Sequence, residues 1–291
     1  MSGQGLLDPS SLRSLAASLG VRPAKHWGQN FLVDANTVRR LVALAGVGDA
    51  VSVLEVGPGL GSLTLGLLDA GAAVTAVEID SVLARQLPAT AAQRLPGASN
   101  RLDVVEGDAL RLQPSQLGAP PEALVANLPY NVAVPVILHI LARFPTVNHG
   151  LVMVQLEVAR RLTAAPGSRV YGAPSAKLAW FADAQFAGTV PASVFWPVPN
   201  VESGLVSFTR RPQPSSIPTD QVFSVVDAAF GQRRKMLRSA LAGLADQTSI
   251  LAALDAAGVA PTARGETLSI KQFADIAGQL RADSFQQDET A

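Results

Sequence analysis

Residues 51–68 read VSVLEVGPGLGSLTLGLL, and this stretch decides the fold of the chain. Its first six residues are rich in valine, which predicts a buried strand over Val51–Val56. Glycines follow at the point where the backbone has to turn tightly, and Ser62–Leu68 then has the composition of a helix. A strand, a glycine-rich turn and a helix in this order indicate an α/β fold built on a parallel sheet.

The same alternation continues on both sides of this unit. A helix is predicted before it, over Asn36–Ala45. The segments after it are strand Ala73–Ile79, helix Ser81–Leu95, strands Leu102–Glu106 and Ala123–Ala126, helix Val134–Leu141 and strand Gly150–Val154. Two strands in succession, Ala179–Val190 and Val201–Thr209, then predict an antiparallel pair at one edge. We therefore expect a Rossmann-like sheet that is mostly parallel, with an antiparallel edge strand.

The last third of the chain has a different pattern. Arg211–Pro218 is rich in proline and serine, which is typical of a linker. Three helical segments follow, at Asp220–Ala242, Ser249–Ala257 and Ile270–Leu280. We expect a sheet domain over residues 1–210, a small all-helical domain over 219–282, and a loose tail over 283–291.

The composition excludes several classes of protein. At 291 residues, 48% hydrophobic and 16% charged, the chain can bury a substantial core. It has no cysteine, which rules out disulfides, thiolate metal sites and a cysteine nucleophile, and fits a cytoplasmic location. The three histidines lack metal-ligand spacing, and no signal peptide or membrane-spanning stretch is visible. We expect no metal and no membrane partner.

Charge is unevenly distributed although the net charge is zero. Residues 151–245 carry ten basic and five acidic side chains, and residues 1–40 carry five and two. The intervening residues 41–150 carry five and nine. Two positive segments that meet at one face would hold phosphates, whereas scattered basic residues would only solvate the surface.

The glycine turn and the acids that follow the next two strands predict a nucleotide-like ligand. Amides at the start of a helix face a polar group, and Glu78 ends the second strand, where an acidic residue meets ribose hydroxyls. Asp108 follows the third strand and would accept from an adenine amino group. It is equally suited to capping a turn. Dinucleotides and S-adenosylmethionine share such a site.

Asn127-Leu128-Pro129-Tyr130 follows the fourth predicted strand, at the edge where ligands bind in such sheets. An aromatic amine is a poor nucleophile because its lone pair is delocalised into the ring. The Asn127 side-chain oxygen and a neighbouring backbone carbonyl can hold its two protons, while Pro129 stiffens the turn. Tyr130 offers a ring on which a base stacks. A simple β-turn is the competing interpretation.

Together these motifs resemble the ribosomal RNA adenine N6-dimethyltransferases, most closely the bacterial members that act on the small subunit. The resemblance covers nearly the whole chain. The segments that carry it are 25–32, 55–64, 77–80, 107–110, 127–131, 153–161, 190–203 and 230–241. It implies a class I methyltransferase fold, S-adenosylmethionine as cofactor, and dimethylation of two adjacent adenines near the 3′ end of small-subunit rRNA.

The resemblance also assigns residues. It places Asn127, Leu128, Pro129 and Tyr130 in the catalytic site, with Phe195 closing on the target adenine opposite Tyr130. Without the resemblance, Phe195 would be interpreted as a core aromatic. The residues that it implies for the cofactor are Gln29, Asn30, Leu32, Gly57, Gly59, Glu78, Ile79, Asp108, Ala109 and Asn127. Gln29 and Asn30 are also suited to capping a helix.

Two arginine clusters are the candidates for RNA contacts. They comprise Arg160 and Arg161, and then Arg233, Arg234, Lys235 and Arg238. On a continuous helix, Arg234 and Arg238 would share one face. A solvated helix face is the alternative. Members of the family often have arginine after the Tyr-Gly pair, but Ala173 follows Gly172 here, so one contact is absent or comes from Arg169.

Three other functions remain open at this stage. An antibiotic-resistance methyltransferase of large-subunit RNA shares the cofactor and target motifs. A nicotinamide oxidoreductase would use the glycine turn and Glu78 but leave Asn127–Tyr130 without a role. A non-catalytic assembly factor would use only the basic segments. We expect the partner to be small-subunit rRNA in the immature 30S subunit, and the protein to be a monomer.

Overall fold

The computed structural model describes residues 5–21 and 30–288, and of residues 281–288 only the backbone. The chain divides into two compact units. The first, here called the sheet unit, comprises the described residues up to Ala159 together with Ala184–Arg210. The second, the helical unit, comprises Arg160–Asp183 and the described residues from Arg211 onward.

Nine strands and eleven α-helices make up the described part of the chain. The strands are β1 (Phe31–Leu32), β2 (Ser52–Val56), β3 (Ala73–Glu78), β4 (Leu102–Glu106), β5 (Ala123–Asn127), β6 (His149–Gln155), β7 (Ala182–Val190), β8 (Phe195–Trp196) and β9 (Ser203–Arg210). The helices are α1 (Pro9–Ser18), α2 (Ala35–Ala45), α3 (Ser62–Asp69), α4 (Ser81–Arg94), α5 (Ala133–Arg143), α6 (Leu156–Leu162), α7 (Ala173–Phe181), α8 (Thr219–Gly231), α9 (Leu237–Ala240), α10 (Gln247–Ala256) and α11 (Ile270–Asp288).

Seven strands form one sheet in the order β4-β3-β2-β5-β6-β9-β7. The five strands from β4 to β6 in this order are parallel to one another, and β9 pairs antiparallel with β6 on its other side. The predicted Rossmann-like sheet with an antiparallel edge is therefore confirmed. Because β2 lies between β3 and β5, the turns that leave these three strands meet at the switch point of the sheet, where α/β folds bind ligands.

The helix after the glycine turn lies in the centre of the sheet unit. All residues of α3 from Ser62 to Leu68 are buried, because α3 packs between β3 on one side and α2 on the other. Gly66 is part of this contact, and an added Cβ there would run into Val38. Asp34 and Asp80 cap the N-termini of α2 and α4 with their carboxylates.

A small second sheet was not predicted. It consists of β1 and β8, which pair antiparallel with Phe31 opposite Trp196 and Leu32 opposite Phe195. Two-residue strands have no periodicity that sequence patterns can detect, and only long-range pairing defines them. This small sheet brings Asn30 and Leu32 to the switch point.

Two predicted elements of the C-terminal half were wrong. The strand expected from Ala179 begins at Ala182, because residues 173–181 form α7, with Pro174 in its first turn. The single helix expected over Asp220–Ala242 is broken into α8 and α9. A turn separates them, in which the Lys235 amide donates to the Gln232 carbonyl, and the Leu237 amide then donates to the Ala263 carbonyl.

The helical unit is built around aromatic side chains. Tyr171, Phe230 and Phe273 form an edge-packed series, and Trp180 is fully buried with its indole donating to Thr219 Oγ1 at 3.0 Å. Helix α7 packs on α8 and α11. Residues 160–183 therefore belong to this unit, and not to the sheet domain predicted over residues 1–210.

The expected loose tail also differs from what the structure shows. Helix α11 continues to Asp288, since neither glycine nor proline follows Gly278 to end it, and residues 289–291 lie outside the described part. No helix within residues 5–21 and 30–288 is long and apolar enough to cross a membrane.

Candidate active site at the carboxyl edge of the sheet

A pocket of about 280 Å³ opens at the switch point, entirely within the sheet unit. It receives residues from the turns after β2, β3, β4 and β5 and from β1. The predicted site residues that line it are Asn30, Leu32, Gly57, Gly59, Glu78, Ile79, Asp108, Ala109, Asn127, Leu128, Pro129 and Tyr130. Segments far apart in sequence thus contribute to one concave site.

The glycine turn shapes the floor of this pocket. Gly57 has φ +71° and Gly59 has φ +59°, a backbone region that other residues rarely adopt. A Cβ on Gly57 would point toward the Asn127 carbonyl and the Pro129 ring, both at 3.9 Å, and would fill the space between the two turns. A Cβ on Gly59 would lie only 2.9 Å from the Phe31 ring. Both positions therefore keep the pocket open to a ligand.

Glu78 is fixed between two backbone amides. Its Oε2 accepts from Gly59 at 3.0 Å and its Oε1 accepts from Asp80 at 3.0 Å. The side chain is only 6% exposed, and this burial raises the pKa of Glu78, an effect that the two amides oppose. Each oxygen retains a second lone pair, so the carboxylate can accept two further hydroxyl protons from a ligand.

A second buried carboxyl, Glu55, lines the same pocket. Its Oε2 is buried close to the buried Thr64 hydroxyl, and the interaction between the two side chains lowers the pKa of Glu55 in part. Burial is the main cause that raises the pKa of Glu55 to about 8, and the nearby Glu78 charge raises it further. The carboxyl is therefore largely protonated at neutral pH. The sequence analysis gives Glu55 no role, although an acid inside an apolar strand is a signal of a buried carboxyl.

Asp108 caps a turn at the edge of the pocket, and its contact with an adenine stays a prediction. Its Oδ1 accepts from the Leu110 amide at 2.9 Å, so it caps the turn after β4, while the residue also lines the pocket. Ile79 lies across the pocket with 58% of its surface exposed, and Ala109 is buried beside Asp108. An exposed apolar side chain and a nearby acceptor form a suitable wall for a planar heterocycle.

The Asn127 side chain has a defined orientation. Its Nδ2 donates to the Asn30 carbonyl at 3.1 Å. A carbonyl can only accept, so the nitrogen of the amide must face Asn30 and the Oδ1 atom is left for a ligand. In the adjacent turn the Pro129 carbonyl is occupied by the Val132 amide at 3.2 Å. The Leu128 carbonyl accepts from no described amide outside the regular elements, and we take it as the neighbouring acceptor.

Tyr130 is held at both ends. The turn that carries it is fixed to β6, since the Leu128 amide donates to the Met153 carbonyl at 3.0 Å. Its hydroxyl lies 2.9 Å from Ser203 Oγ at the start of β9. The ring is half-buried and lines the pocket. Ser203 ends the family segment 190–203, and the sequence alone predicts no role for it.

Phe195 does not line the pocket. Its side chain is 2% exposed and belongs to the hydrophobic core, opposite Leu32 in the small sheet. In this structure it is the core aromatic that its sequence context alone indicated, and contact with an adenine would require it to leave the core. Gln29 was also predicted at the site, but it lies outside the described residues.

The candidate RNA-contacting residues all belong to the helical unit. Arg160, Arg161, Arg233, Arg234, Lys235 and Arg238 are all exposed. Arg234 lies in the turn between α8 and α9, so the shared helix face that we expected for it and Arg238 was wrong. Arg233 is fastened within the unit, donating to Glu266 at 2.9 Å and to the Arg169 carbonyl at 2.8 Å.

Comparison with known proteins shows the family of the chain and narrows the functions left open by the sequence. A family model described as "Ribosomal RNA adenine dimethylase" matches residues 22–281. The chain belongs to this family. As a ribosomal RNA adenine dimethylase it uses S-adenosylmethionine as the methyl donor, which excludes the nicotinamide oxidoreductase.

Relatives of this dimethylase match over almost their full length. A protein named "Ribosomal RNA small subunit methyltransferase A" from Cutibacterium acnes is 60% identical over 287 residues, with 96% of each chain covered. A protein of the same name from Streptomyces avermitilis is 58% identical over 281 residues, covering 96% of this chain and 95% of the relative.

Solved structures support the fold of the dimethylase. A dimethyladenosine transferase from Plasmodium falciparum, 22% identical, superposes with a TM-score of 0.74, covering 87% of this chain and 98% of the other. The 23S rRNA methyltransferase ErmE, 28% identical, gives a TM-score of 0.61, covering 87% and 100%.

The pocket of the dimethylase fits S-adenosylmethionine by its own geometry. Glu78 has free lone pairs for hydroxyls, and Gly57 leaves open the space that a side chain would occupy. Ile79 and Asp108 form a wall for a heterocycle. Among the described residues, no group of acidic or histidine side chains could hold a metal ion.

Proposed function

We propose that this enzyme dimethylates N6 of two adjacent adenines near the 3′ end of small-subunit rRNA during ribosome biogenesis. The observation that carries the proposal is the 60% identity, over 96% of both chains, to a protein named for small-subunit rRNA methylation. The pocket adds chemical support, since it places an amide oxygen, a backbone carbonyl and an aromatic ring at the switch point.

The turns after β2, β3 and β4 hold the cofactor in this proposal. Glu78 accepts from the ribose hydroxyls, while Asp108 and Ala109 face the adenine opposite Ile79. Gly57, Gly59, Asn30 and Leu32 surround the remaining part, and Gln29 stays a candidate from the sequence alone. When bound, S-adenosylmethionine supplies an electrophilic methyl group.

The turn after β5 holds the target adenine. In the first transfer, Asn127 Oδ1 and the Leu128 carbonyl accept the two N6 protons, which turns the lone pair toward the methyl donor. In the second transfer, one of these acceptors holds the single N6 proton that remains on the monomethyl amine. Pro129 limits the flexibility of the turn, and Tyr130 stacks on the base, an interaction worth about 1–3 kcal/mol. Phe195 would supply a second stacking surface only if its side chain left the core.

The pocket provides alignment rather than acid–base catalysis. The described pocket residues include no histidine or lysine, and the buried carboxyls Glu55 and Glu78 respectively precede the glycine turn and end β3, away from the turn after β5 that holds the adenine. An amine attacks directly and releases its proton to water after transfer. Most of the rate acceleration therefore comes from positioning the amine, which is worth several kcal/mol in well-oriented sites.

The helical unit contacts the RNA backbone in this proposal. Arg160, Arg161, Arg234, Lys235 and Arg238 supply exposed cations for phosphates, and Arg233 contributes through the turn that it fastens. The natural partner is the immature 30S subunit in the cytoplasm, and the enzyme acts as a monomer. The adenines must leave any stacked arrangement to enter the pocket, at a cost of a few kcal/mol.

Mapping the methylated bases tests the proposal. Immature 30S subunits lacking the modification are incubated with the enzyme and labelled S-adenosylmethionine, and primer extension then locates dimethyladenines as stops. Two adjacent stops near the 3′ end are expected, and none on 50S subunits treated in parallel. Stops on 23S RNA alone would overturn the assignment.

The large-subunit alternative has one observation in its favour. The ErmE structure, named for 23S rRNA, covers 87% of this chain at 28% identity. The relatives named for the small subunit are about twice as similar, which is why we favour them. The 50S arm of the mapping experiment decides between the two.

A further inference from the structure

A buried hydroxyl outside the pocket contacts the aromatic ring that lines it. Ser203 is 0% exposed and does not line the pocket. Its Oγ lies 2.9 Å from the Tyr130 hydroxyl, although 73 residues separate the two in sequence. Ser203 can therefore act on a bound base only through Tyr130.

The position of Ser203 is itself rigid. It opens β9 opposite Gln155, and the preceding Glu202 carbonyl accepts from the Leu156 amide at 3.0 Å. The next residue, Gly204, is packed so closely that an added Cβ would lie 2.5 Å from Ala159. Ser203 therefore holds a fixed position, and its hydrogen bond can orient the ring of Tyr130.

The Tyr130 ring needs such a point because its backbone anchor leaves the side chain free to rotate. The amide of Leu128 fixes the turn to β6, but rotation about the side-chain bonds of Tyr130 would still swing the ring across the pocket. A hydrogen bond at the far end of the ring fixes its plane. Stacking depends on that plane, and small misplacements of a reacting group reduce rates strongly.

We propose that Ser203 is a positioning residue for methyl transfer, which holds the Tyr130 ring in the plane on which the target adenine stacks. The inference rests on the proposed role of Tyr130 in base binding. The proposal adds Ser203 to the residues that determine the reaction rate. Ser203 lies on β9, which is two strands away in the sheet from β5 and Asn127.

A double-mutant cycle tests this inference on the full chain with immature 30S subunits. Tyr130→Phe keeps the ring and removes the hydroxyl, and Ser203→Ala removes its partner. Each is expected to lower kcat about tenfold, with KM for S-adenosylmethionine nearly unchanged. Each also leaves one hydroxyl without its partner and should lower Tm, so kcat is compared well below the Tm of every variant. The double variant should be no slower than either single variant, because both remove the same bond.

The matched control is Ser207→Ala on the same strand. Ser207 Oγ contacts the Gln185 carbonyl at 3.5 Å near the surface, so its loss should leave kcat unchanged. A Ser203 that only stabilises the fold would lower Tm and leave kcat at the wild-type value, which would overturn the inference. Effects that multiply in the double variant would overturn it as well. Failure of the proposed function would instead show as no transfer by the wild-type chain.

Discussion

The pocket at the switch point and the turn between α8 and α9 hold their polar side chains in opposite ways. In the pocket, Glu78, Asn127 and Tyr130 each make defined hydrogen bonds at 2.9–3.1 Å to other parts of the sheet unit. In the turn, the side chains of Arg234 and Lys235 are exposed and make no hydrogen bond or ion pair with other described residues. Fixed geometry suits bond formation, and unrestrained cations suit phosphates of variable position.

Removing the amide of Asn127 should produce the largest effect. Asn127→Ala is expected to lower methyl transfer by about two to three orders of magnitude, because the amine loses the acceptor that turns its lone pair. Affinity for S-adenosylmethionine, measured by calorimetry, should change little. A variant that transfers methyl at a near-normal rate would refute the role given to Asn127.

Glu78→Gln should weaken cofactor binding by about 30-fold. Both oxygens of Glu78 accept from amides, so a glutamine must turn its NH₂ group toward one of those donors. The matched control is Glu106→Gln, which alters the exposed register partner of Glu78 on β4. Equal dissociation constants for the two variants would show that the Glu78 carboxylate does not bind the cofactor.

The buried Glu55 carboxyl should make the free energy of unfolding fall as the pH rises. Its folded pKa of about 8 lies above the ordinary value of 4.5, so the unfolded chain loses this proton first. The stabilising contribution is complete below about pH 4.5 and is lost as pH rises toward 8, by about 1.4 kcal/mol per pH unit between these values.

Denaturant unfolding of the wild type and Glu55→Gln between pH 5 and 8 measures this contribution. The variant should lose stability less steeply as pH rises, because glutamine has no proton to release. Glu78, whose pKa is also raised, leaves some slope in both proteins. Parallel curves for the two proteins would mean that Glu55 is ionised in the folded state.

Substitutions at the turn between α8 and α9 should have the smallest effect, and they should affect binding to the 30S subunit. Arg234→Ala with Arg238→Ala is expected to reduce 30S binding a few-fold and to make the affinity less sensitive to salt, since two phosphate contacts are lost. Lys271→Ala serves as control, because Lys271 is paired with Asp275 at 2.8 Å. If the double variant and this control bound with the same salt slope, the turn would not contact phosphates.

The sequence predicts the pocket better than the helical unit for a physical reason. Glycines, Glu78 and Asn127 follow buried strands, and parallel strands bring their carboxyl ends together whatever the rest of the chain does. The break before Leu237 has no such local signal. Residues 232–236 are compatible with a helix, and the bond from the Leu237 amide to Ala263, a contact distant in sequence, interrupts it.

The sequence also does not show which aromatic residue faces the pocket and which is buried in the core. Tyr130 and Phe195 were expected to face the same adenine, yet one lines the pocket and the other is buried opposite Leu32. Composition cannot separate the two environments, because a phenyl ring suits a base and a core equally well. The bond between Tyr130 and Ser203 likewise depends on tertiary structure alone.

The strand Phe31–Leu32 is pinned on both flanks by atoms of the protein itself. Asn127 holds the Asn30 carbonyl, and Ser62 Oγ donates to the Leu32 carbonyl at 2.6 Å. This wall therefore keeps its place without help from any ligand. Each adenine consumes two donor molecules. Because the wall keeps its place, the spent donor leaves and the fresh donor enters a pocket of the same shape. Successive methyl transfers therefore begin from the same geometry.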